Sequence, residues 1–344
     1  MSSKTKIFIF LVAAPLLALS FVSIEIYYYI KIWKYDGPPI IFEIKPGQSF
    51  ANINYKLQKQ DLISNAKIFH KYAKFKDQLT NFKAGNYEIP SQSDMSDILT
   101  LLTSGKSLTV KITIPEGKNL YEIAKILEQK EITSSVDFIK KSKNHKFIKN
   151  LKINNITTEG YLYPDTYYFS KNTSPSLIIT TMLHQFNAKT KNLNFEQSNL
   201  TKSQIITLAS IIEKETGAAS ERPRISGVFH NRLQKKMRLQ SDPTTIYGIF
   251  EKFNGNLRKK HLLQKTPYNT YKISGLPIGP ISNPGIASIK AALSPEKHNY
   301  LYFVSKNDGT HIFSKTYKEH LNAVDYWQKR RSSRKGKSWR NLKQ

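Results

Sequence analysis

Two carboxylates lie two residues apart near the end of an apolar run in the segment ASIIEKETGAASERPRISGVFHNRL, residues 209–233. They are Glu213 and Glu215, just before Gly217. A carboxyl group at the edge of a hydrophobic helix is partly desolvated, which raises its pKa above the free value of about 4.3. A carboxyl group that keeps its proton at neutral pH can act as a general acid. The simpler interpretation is a solvated helix end.

The helix that would carry both acids has recognisable ends. Thr201 with Gln204 three residues later is typical of a capping box, which predicts a helix start near residue 202. Gly217 suits the position after the last helical residue. A stripe at helical spacing predicts the core-facing side, namely Ile205, Leu208, Ala209 and Ile212. Glu213 and Glu215 fall on opposite edges of this stripe, so periodicity alone does not choose between them.

Further segments combine aromatic, polar, proline and glycine residues. They are EGYLYPDTYYF from residue 159, MRLQSDPTTIYG from 237, TPYNTYKISGLPIGPISNPG from 266 and YLYFVSKNDGTHIFS from 300. After residue 235 this composition predicts loops that connect strands. Loops of this kind on a rigid scaffold are suited to forming a binding groove.

Several residues in these segments could bind a sugar, and each has a structural alternative. Gln240 and Asp242 could hydrogen-bond sugar hydroxyls, or form a turn before Pro243. The remaining candidates are Asn269, Thr270 and Tyr271 for an N-acetyl group or sugar face, and Glu159 and Tyr163 for a second wall. For these the alternatives are loop structure and packing.

Arginines follow the two acids, and histidines are scattered along the chain. Arg222, Arg224 and Arg232 could meet acidic peptides, but a solvated helix face is the preferred interpretation. The eight histidines show no HExxH or comparable spacing, so we expect no metal and no other cofactor.

The chain is strongly basic and lacks cysteine. Lys and Arg number 53 against 25 Asp and Glu, which gives a net charge of +28 over 344 residues. An anionic partner is therefore expected: nucleic acid, anionic lipid or an acidic polymer. No nucleic-acid-binding motif accompanies the charge. The basic tail, 326–344, could contact lipid headgroups or an acidic wall, or could be disordered.

An uncharged apolar segment near the N-terminus covers residues 7–24, long enough to cross a membrane as a helix. The aromatic segment YYYIKIW, 27–33, is typical of a membrane interface. Lys4 and Lys6 favour a cytoplasmic start. A cleaved signal peptide is the rival, since Ala-Leu-Ser at 18–20 is a passable cleavage site. We expect a retained anchor, with the rest of the chain outside the cytoplasm.

A strand–turn–helix pattern occurs twice, starting at Ile41 and at Lys111. A shift of 70 residues superposes the turn glycines, Gly47 and Gly117, and the apolar positions of strand and helix. FKAGNYEIP, 82–90, adds a predicted strand, and MSDILTLLTSGK a helix closed by Gly105. Residues 134–158 show little periodicity. Each repeat resembles a LysM module, which binds N-acetylglucosamine-containing glycans; the alternative is mutual packing only.

The four motifs around Glu159, Glu213, Asp242 and Asn269 together resemble the MltG (YceG-like) endolytic murein transglycosylase family, from about residue 41 to 325. The resemblance implies a bitopic inner-membrane enzyme that cleaves nascent peptidoglycan strands, with peptidoglycan synthases as possible partners. It implies cleavage of the MurNAc–GlcNAc β-1,4 bond without water, which leaves 1,6-anhydro-MurNAc ends. It also implies that the first Glu of EKET, Glu213, is the catalytic acid.

The expected fold class is α+β, since strands and helices show no regular βαβ alternation. The expected domains are a cytoplasmic N-terminus (1–6), a transmembrane helix with interfacial belt (7–29), LysM-like units (40–107 and 108–150), a catalytic domain (151–325) and the tail (326–344).

Two other functional classes compete with this assignment. A non-enzymatic, membrane-anchored glycan-binding protein would use the LysM-like repeats alone, and would leave the Glu213 motif unexplained. A membrane-tethered nucleic-acid binder is supported only by the charge.

Overall fold

The computed structural model describes residues 13–215 and 218–330, and the fold is α+β as predicted. The helices are α1 (Ala14–Tyr27), α2 (Phe50–Lys59), α3 (Ala66–Phe75), α4 (Met95–Ser104), α5 (Leu120–Gln129), α6 (Ser135–Ser142), α7 (His145–Asn150), α8 (Pro175–Thr190), α9 (Lys202–Glu215), α10 (Arg222–Gln234), α11 (Asp242–Gly248), α12 (Lys259–Leu263), α13 (Ile286–Leu293) and α14 (Tyr317–Val324). The strands are β1 (Ile40–Ile44), β2 (Gly85–Ile89), β3 (Val110–Thr113), β4 (Thr166–Phe169), β5 (Tyr302–Ser305) and β6 (His311–Ser314). They form the three two-stranded sheets β1–β2, β3–β4 and β5–β6.

The described residues divide into two compact units. The first contains residues 13–111 and 168–174, and the second 112–167 and 175–330. All residues around the two acids of α9 belong to the second unit.

The N-terminal helix is long and apolar enough to cross a membrane. α1 continues as a π-helical turn, Tyr28–Ile32, and the 19 residues of Ala14–Ile32 have a mean hydropathy of 1.3 with none buried. At about 1.5 Å per residue this length is close to the hydrocarbon thickness of a bilayer. The first part of the predicted anchor, residues 7–12, lies outside the described residues.

The first unit is built around an antiparallel pair of strands. β1 pairs with β2 from Ile40 opposite Ile89 to Ile44 opposite Gly85. α2 and α3 lie between these strands in sequence, and their apolar faces enter the same core as Phe42, Tyr87 and α4. The predicted strand within 82–90 is confirmed, as is the helix closed by Gly105, which has a φ of 75°.

The two sequence repeats have the same local structure. The turn glycines Gly47 and Gly117 have φ values of 78° and 76°. Residues other than glycine adopt this backbone conformation only at an energetic cost. Five of the six apolar pairs that the shift superposes are buried in both repeats: Phe42 and Ile112, Ile44 and Ile114, Ile53 and Ile123, Leu57 and Leu127, Leu62 and Ile132. In the sixth pair Leu120 is buried and Phe50 is partly buried. The strand–turn–helix prediction is therefore confirmed.

The segment 134–158, which showed little periodicity, contains two short helices. α6 and α7 have only eight and six residues, so each is too short to repeat an apolar position often. Their ends are fixed by capping, because the Ser134 side chain accepts from Asp137 N and the Asn144 side chain from Phe147 N. Single apolar anchors, Phe138 and Ile148, enter the core.

α9 begins where the sequence predicts. Gln204 N donates to Thr201 Oγ1 over 3.3 Å, and Thr201 N donates to Gln204 Oε1 over 2.8 Å, which closes the predicted capping box. Gly217, the predicted end, lies outside the described residues. Burial extends beyond the predicted stripe, since Ile206 and Ile211 are as buried as the four stripe residues. The reason is packing on several sides, as α9 contacts α10, α11 and α13.

The segment after residue 235 is more helical than predicted. Where loops between strands were expected, the chain up to residue 330 forms α11, α12 and α13, and β5 and β6 make an antiparallel hairpin. α11 starts at Asp242 with Pro243 in its first turn. Proline in the first helical turn loses no hydrogen bond, so a Pro-containing segment can begin a helix as well as a turn.

Candidate active site

Glu213 lies in the last turn of α9, and both of its carboxylate oxygens accept hydrogen bonds. Oε1 lies 3.3 Å from Arg222 Nη2, and Oε2 accepts from the Gly285 amide over 3.0 Å. Gly285 is the N-cap of α13, where free amides and the helix dipole favour a negative charge. The Glu213 side chain is only 6% exposed. It is therefore a shielded acid whose ionised form has two fixed partners.

A second carboxylate shares the arginine. Glu116 Oε2 lies 4.0 Å from Arg222 Nη2, and the Glu116 side chain is about half exposed. Partial burial, and next the charge of Glu213, raise the pKa of Glu116, while Arg222 opposes them. Two carboxylates thus surround one guanidinium, and Glu116 holds its proton more readily than a free glutamate.

Two glycines, Gly117 and Gly285, lie next to the carboxylates of Glu213 and Glu116. The positive φ of Gly117 turns the chain next to α9, where a Cβ at this position would lie 3.5 Å from Glu213 Cγ. At Gly285 a Cβ would collide with the Glu116 carboxylate. Lys214 Nζ also donates to Gly117 O over 3.3 Å, so the turn is held on α9.

Glu215, the other acid of the pair, has different surroundings. Its carboxylate accepts a short hydrogen bond from Ser241 Oγ. Burial raises the pKa of Glu215 to about 7, with a smaller contribution from Asp242 in the same direction, although Ser241 and Arg232 oppose it. Glu215 therefore joins α9 to the start of α11, whereas Glu213 faces the shared arginine.

The three arginines do not form the solvated face that the sequence favoured. Arg232 is buried, and its Nε and Nη1 donate to the carbonyls of Leu301 and Leu239 over 2.6 and 2.7 Å. Arg222 is largely buried against Glu213. Only Arg224 is well exposed, paired with Glu296 over 2.9 Å. A guanidinium can be buried when its donors find carbonyl or carboxylate partners, and periodicity gives no sign of such partners.

Four of the predicted sugar-binding residues lie together near Glu215. Gln240 and Asp242 are exposed, and the half-buried Tyr271 donates from its hydroxyl to Asp242 Oδ1 over 2.7 Å. Thr270 is fully buried, and its Oγ1 accepts from Ser241 N over 3.0 Å.

Asn269 is fully buried, and its side chain stabilises the surrounding loop by hydrogen bonds. Its Nδ2 donates to three backbone carbonyls, those of His261, Leu262 and Gln264. Its Oδ1 accepts from Thr245 Oγ1 and Tyr271 N. The amide therefore fixes the position of the neighbouring Tyr271.

Glu159 is fully buried at the centre of a separate network. Its Oε2 accepts from Leu120 N and from the Tyr247 hydroxyl, both over 2.9 Å, and its Oε1 accepts from Asn283 Nδ2 over 2.7 Å. Burial nevertheless raises the pKa of Glu159 to about 8, against the opposing effect of these donors.

Tyr163 is buried near Glu116. Burial, and next the charges of Glu116 and Asp165, raise the pKa of its hydroxyl. Tyr163 is thus connected electrostatically to the Glu116–Arg222–Glu213 cluster.

Sequence reasoning missed Glu116, Asn283 and Gly285. Asn283 Oδ1 accepts from the amides of Gly160 and Leu162, both over 2.9 Å, and Asn283 O accepts from Gly117 N over 3.0 Å. The available signal was their position in the turn segments IPEGKN and ISNPG, where glycine and asparagine mark close backbone approaches.

The chain is similar to known proteins in family, sequence and structure. The model of the YceG-like family matches residues 42–326. The endolytic murein transglycosylase of Bacillus subtilis (strain 168) is 37% identical over 300 residues, which cover 82% of this chain and 83% of that protein. The endolytic murein transglycosylase of Streptococcus pneumoniae serotype 2 is 31% identical over 302 residues, which cover 76% of this chain and 53% of that protein.

The fold is also similar to that of a solved protein. The crystal structure of a yceG-like protein from Listeria monocytogenes matches with a TM-score of 0.57 and 36% sequence identity, covering 83% of this chain and 98% of that one. With a family model over most of the chain and relatives at this identity, the chain belongs to the YceG-like family.

Proposed function

We propose that this chain is an endolytic murein transglycosylase that cleaves the β-1,4 bond between MurNAc and GlcNAc and leaves 1,6-anhydro-MurNAc ends. The observation that carries the proposal is the shielded carboxyl of Glu213 with Arg222, Gly285 N and a second carboxylate around it. The names of the relatives from B. subtilis and S. pneumoniae support the substrate class.

In the first step, Glu213 donates a proton to the glycosidic oxygen as its bond to the MurNAc anomeric carbon breaks. The GlcNAc leaves with a free 4-hydroxyl group, and Glu213 becomes a carboxylate. Arg222 and the Gly285 amide are placed to stabilise that carboxylate. Glu116 adds negative charge near the positive charge that develops on the sugar ring.

In the second step, the Glu213 carboxylate accepts the proton of the MurNAc C6 hydroxyl while O6 bonds to the anomeric carbon. Glu213 thus regains the proton that it gave up in the first step, so one carboxyl group serves both steps. No water is consumed. A hydrolytic glycosidase uses a second carboxylate as nucleophile or as base for water. In this reaction the substrate supplies its own nucleophile, so Glu116 and Asp242 are free for other roles.

The proposed sugar contacts are divided between direct and indirect ones. Gln240, Asp242 and Tyr271 are accessible enough to hydrogen-bond a saccharide or to stack on it. The fully buried residues Asn269, Thr270 and Glu159 would contribute by holding backbone segments in place, and Tyr163 by lining the wall near Glu116.

The remaining parts of the proposal concern location and partners. The helix Ala14–Ile32 would anchor the chain once in the inner membrane, with both compact units outside the cytoplasm. The repeats would bind glycan as LysM-like modules. Near the membrane surface, the enzyme would meet nascent strands and the synthases that make them, and the basic tail would lie against lipid or wall.

The test is the chemistry of the product. The full-length chain in detergent is incubated with purified peptidoglycan, and the released glycan ends are identified by mass spectrometry. We expect 1,6-anhydro-MurNAc ends, one water lighter than hydrolytic ends. Reducing MurNAc ends would make the protein a hydrolase, with Glu116 or Asp242 as the second carboxylate. Binding without new ends would support the non-enzymatic alternative.

A further inference from the structure

A cavity of about 900 Å³ opens in the second unit beside α11, away from the cluster around Glu213. Its volume is in the range of ligand sites. We propose that this cavity binds the acidic peptide stem that a muramyl residue of the glycan carries. The proposal rests on the proposed murein substrate and adds a stem-recognition site to it.

Aromatic rings form part of the cavity lining. The rings of Tyr121 and Phe250 are stacked, with centroids 5.1 Å apart and planes 18° apart. Tyr247 and Tyr268 form an edge-to-face pair at 4.7 Å. Tyr121, Phe250 and Tyr268 are only partly buried, so ring surface remains available to a ligand. Such faces suit the apolar lactyl and alanyl groups by which a stem joins its sugar.

Basic residues also line the cavity. Lys143 is already engaged, since its Nζ donates to the Tyr121 hydroxyl over 3.0 Å and lies 3.6 Å from Glu251. Lys252 and Lys260 also line the cavity and are exposed. Among residues 13–215 and 218–330, no carboxylate lies within ion-pair distance of either. Two uncompensated ammonium groups in a lining that also has aromatic rings are complementary to a short chain that carries carboxylates.

The mixed character of the lining favours a stem over a polyanion. Glu251 is part of the lining and would repel a continuous row of phosphates. A stem has separated carboxylates with apolar groups between them, which fits a lining that combines ammonium groups with aromatic rings.

The cavity is connected to the Glu213 site by direct contacts. Tyr247, in the cavity wall, donates to Glu159, which accepts from Asn283 Nδ2. Asn283 O in turn accepts from Gly117 N, in the turn beside Glu213. A ligand in the cavity would therefore lie against the same hydrogen-bonded network that positions the Glu116–Gly117 turn.

The experiment measures binding of two matched probes to the full-length chain by isothermal titration calorimetry. The first probe is the disaccharide GlcNAc–MurNAc with an L-alanyl-D-glutamate stem, and the second is the same molecule with both stem carboxylates amidated. Neither contains a MurNAc–GlcNAc bond, so neither is a substrate for the proposed cleavage. The double variant Lys252→Gln/Lys260→Gln is compared with Lys191→Gln/Lys235→Gln, which removes the same charge from exposed positions outside the lining.

We expect the cavity variant to bind the acidic probe at least about tenfold more weakly than the control variant does, since it loses charge-assisted hydrogen bonds. The amidated probe should bind the two variants equally. Equal binding of the acidic probe by the two variants would overturn the stem site. Cleavage of peptide-free glycan by the unmodified chain tests the proposed function separately, so failure of one conclusion is distinguishable from failure of the other.

Discussion

Gly285 N donates to Glu213 Oε2 over 3.0 Å, which joins the start of α13 to the end of α9. The donor is a backbone amide at a helix N-cap, so the bond has a fixed direction and adds the helix dipole to its strength. A carboxylate held in this way cannot rotate freely while its other oxygen faces Arg222. The two contacts therefore fix the position of the Glu213 carboxyl group and restrict which of its two oxygens can carry the proton toward a substrate.

Glu213→Gln should abolish glycan cleavage and leave the fold intact. The amide has nearly the shape of the carboxylic acid but cannot donate and then recover a proton. We expect activity to fall by at least about 10²-fold, a typical contribution of general acid–base catalysis. Initial rates on purified peptidoglycan and a circular dichroism spectrum measure the two parts of this prediction.

Glu215→Gln is the matched comparison on the same helix. Because the Glu215 carboxylate bonds to Ser241 and not to the arginine shared by Glu116 and Glu213, this variant should keep much more activity. Equal losses at the two positions would mean that the assignment of the acid to Glu213 has no support.

Glu116→Gln should slow glycan cleavage by less than about tenfold, because Glu116 is half exposed and solvent screens its charge. The amide keeps the shape of the side chain but removes the negative charge that the proposed first step uses near the sugar ring. Initial rates on purified peptidoglycan measure the loss.

Two variants test whether charge is the cause of that loss. Glu116→Asp keeps the carboxylate, so its rate should stay close to that of the unmodified chain. Glu196→Gln removes an exposed carboxylate elsewhere in the same unit and should leave the rate unchanged. A Glu116→Gln rate identical to the unmodified one would show that the Glu116 charge does not contribute to the reaction.

Glu159 should make stability depend on pH. Its pKa is raised to about 8 in the folded chain, against about 4.3 for a free glutamate. Between these values the folded state binds more protons than the unfolded state, so the free energy of unfolding falls as pH rises and then levels off above about 8. The slope from this group is at most about 1.4 kcal/mol per pH unit.

Urea unfolding at several pH values, followed by circular dichroism, measures this slope. Glu159→Gln should remove most of it above pH 7, where Glu215, with a pKa of about 7, contributes less. The variant should also be less stable at every pH, since glutamine keeps one acceptor oxygen and its NH₂ cannot replace the other, so either Asn283 or the pair Leu120 and Tyr247 loses its acceptor. An unchanged slope would show that Glu159 is ionised in the folded chain.

A retained N-terminal helix should keep the full-length chain in the membrane fraction after a wash with 1 M salt. Salt at this concentration shortens the Debye length to about 3 Å, which releases proteins held only by basic residues. The hold of a spanning helix is hydrophobic and survives the wash. A soluble form that begins near residue 21 would point to signal-peptide cleavage, which is detected by N-terminal sequencing.

The sequence by itself determined the local elements. The Thr201–Gln204 capping box, the positive-φ glycines Gly47 and Gly117, and the apolar spacing of the repeats all depend on residues a few positions apart. Such patterns express backbone geometry directly, so they can be identified without the fold. The motifs around Glu213 likewise indicated the family. Very short helices such as α7, and helices begun by proline such as α11, gave no periodic signal.

Only the tertiary structure decided which side chains meet. Gly117 and Lys214 are 97 positions apart, Gly285 and Glu213 are 72 apart, and Asn283 and Glu159 are 124 apart. Helix periodicity left Glu213 and Glu215 equivalent, because both flank the same stripe. Packing separates them by their partners, Arg222 for one and Ser241 for the other. The apolar pattern of one helix indicates which of its sides faces the core. It does not indicate which residue of another element contacts that side.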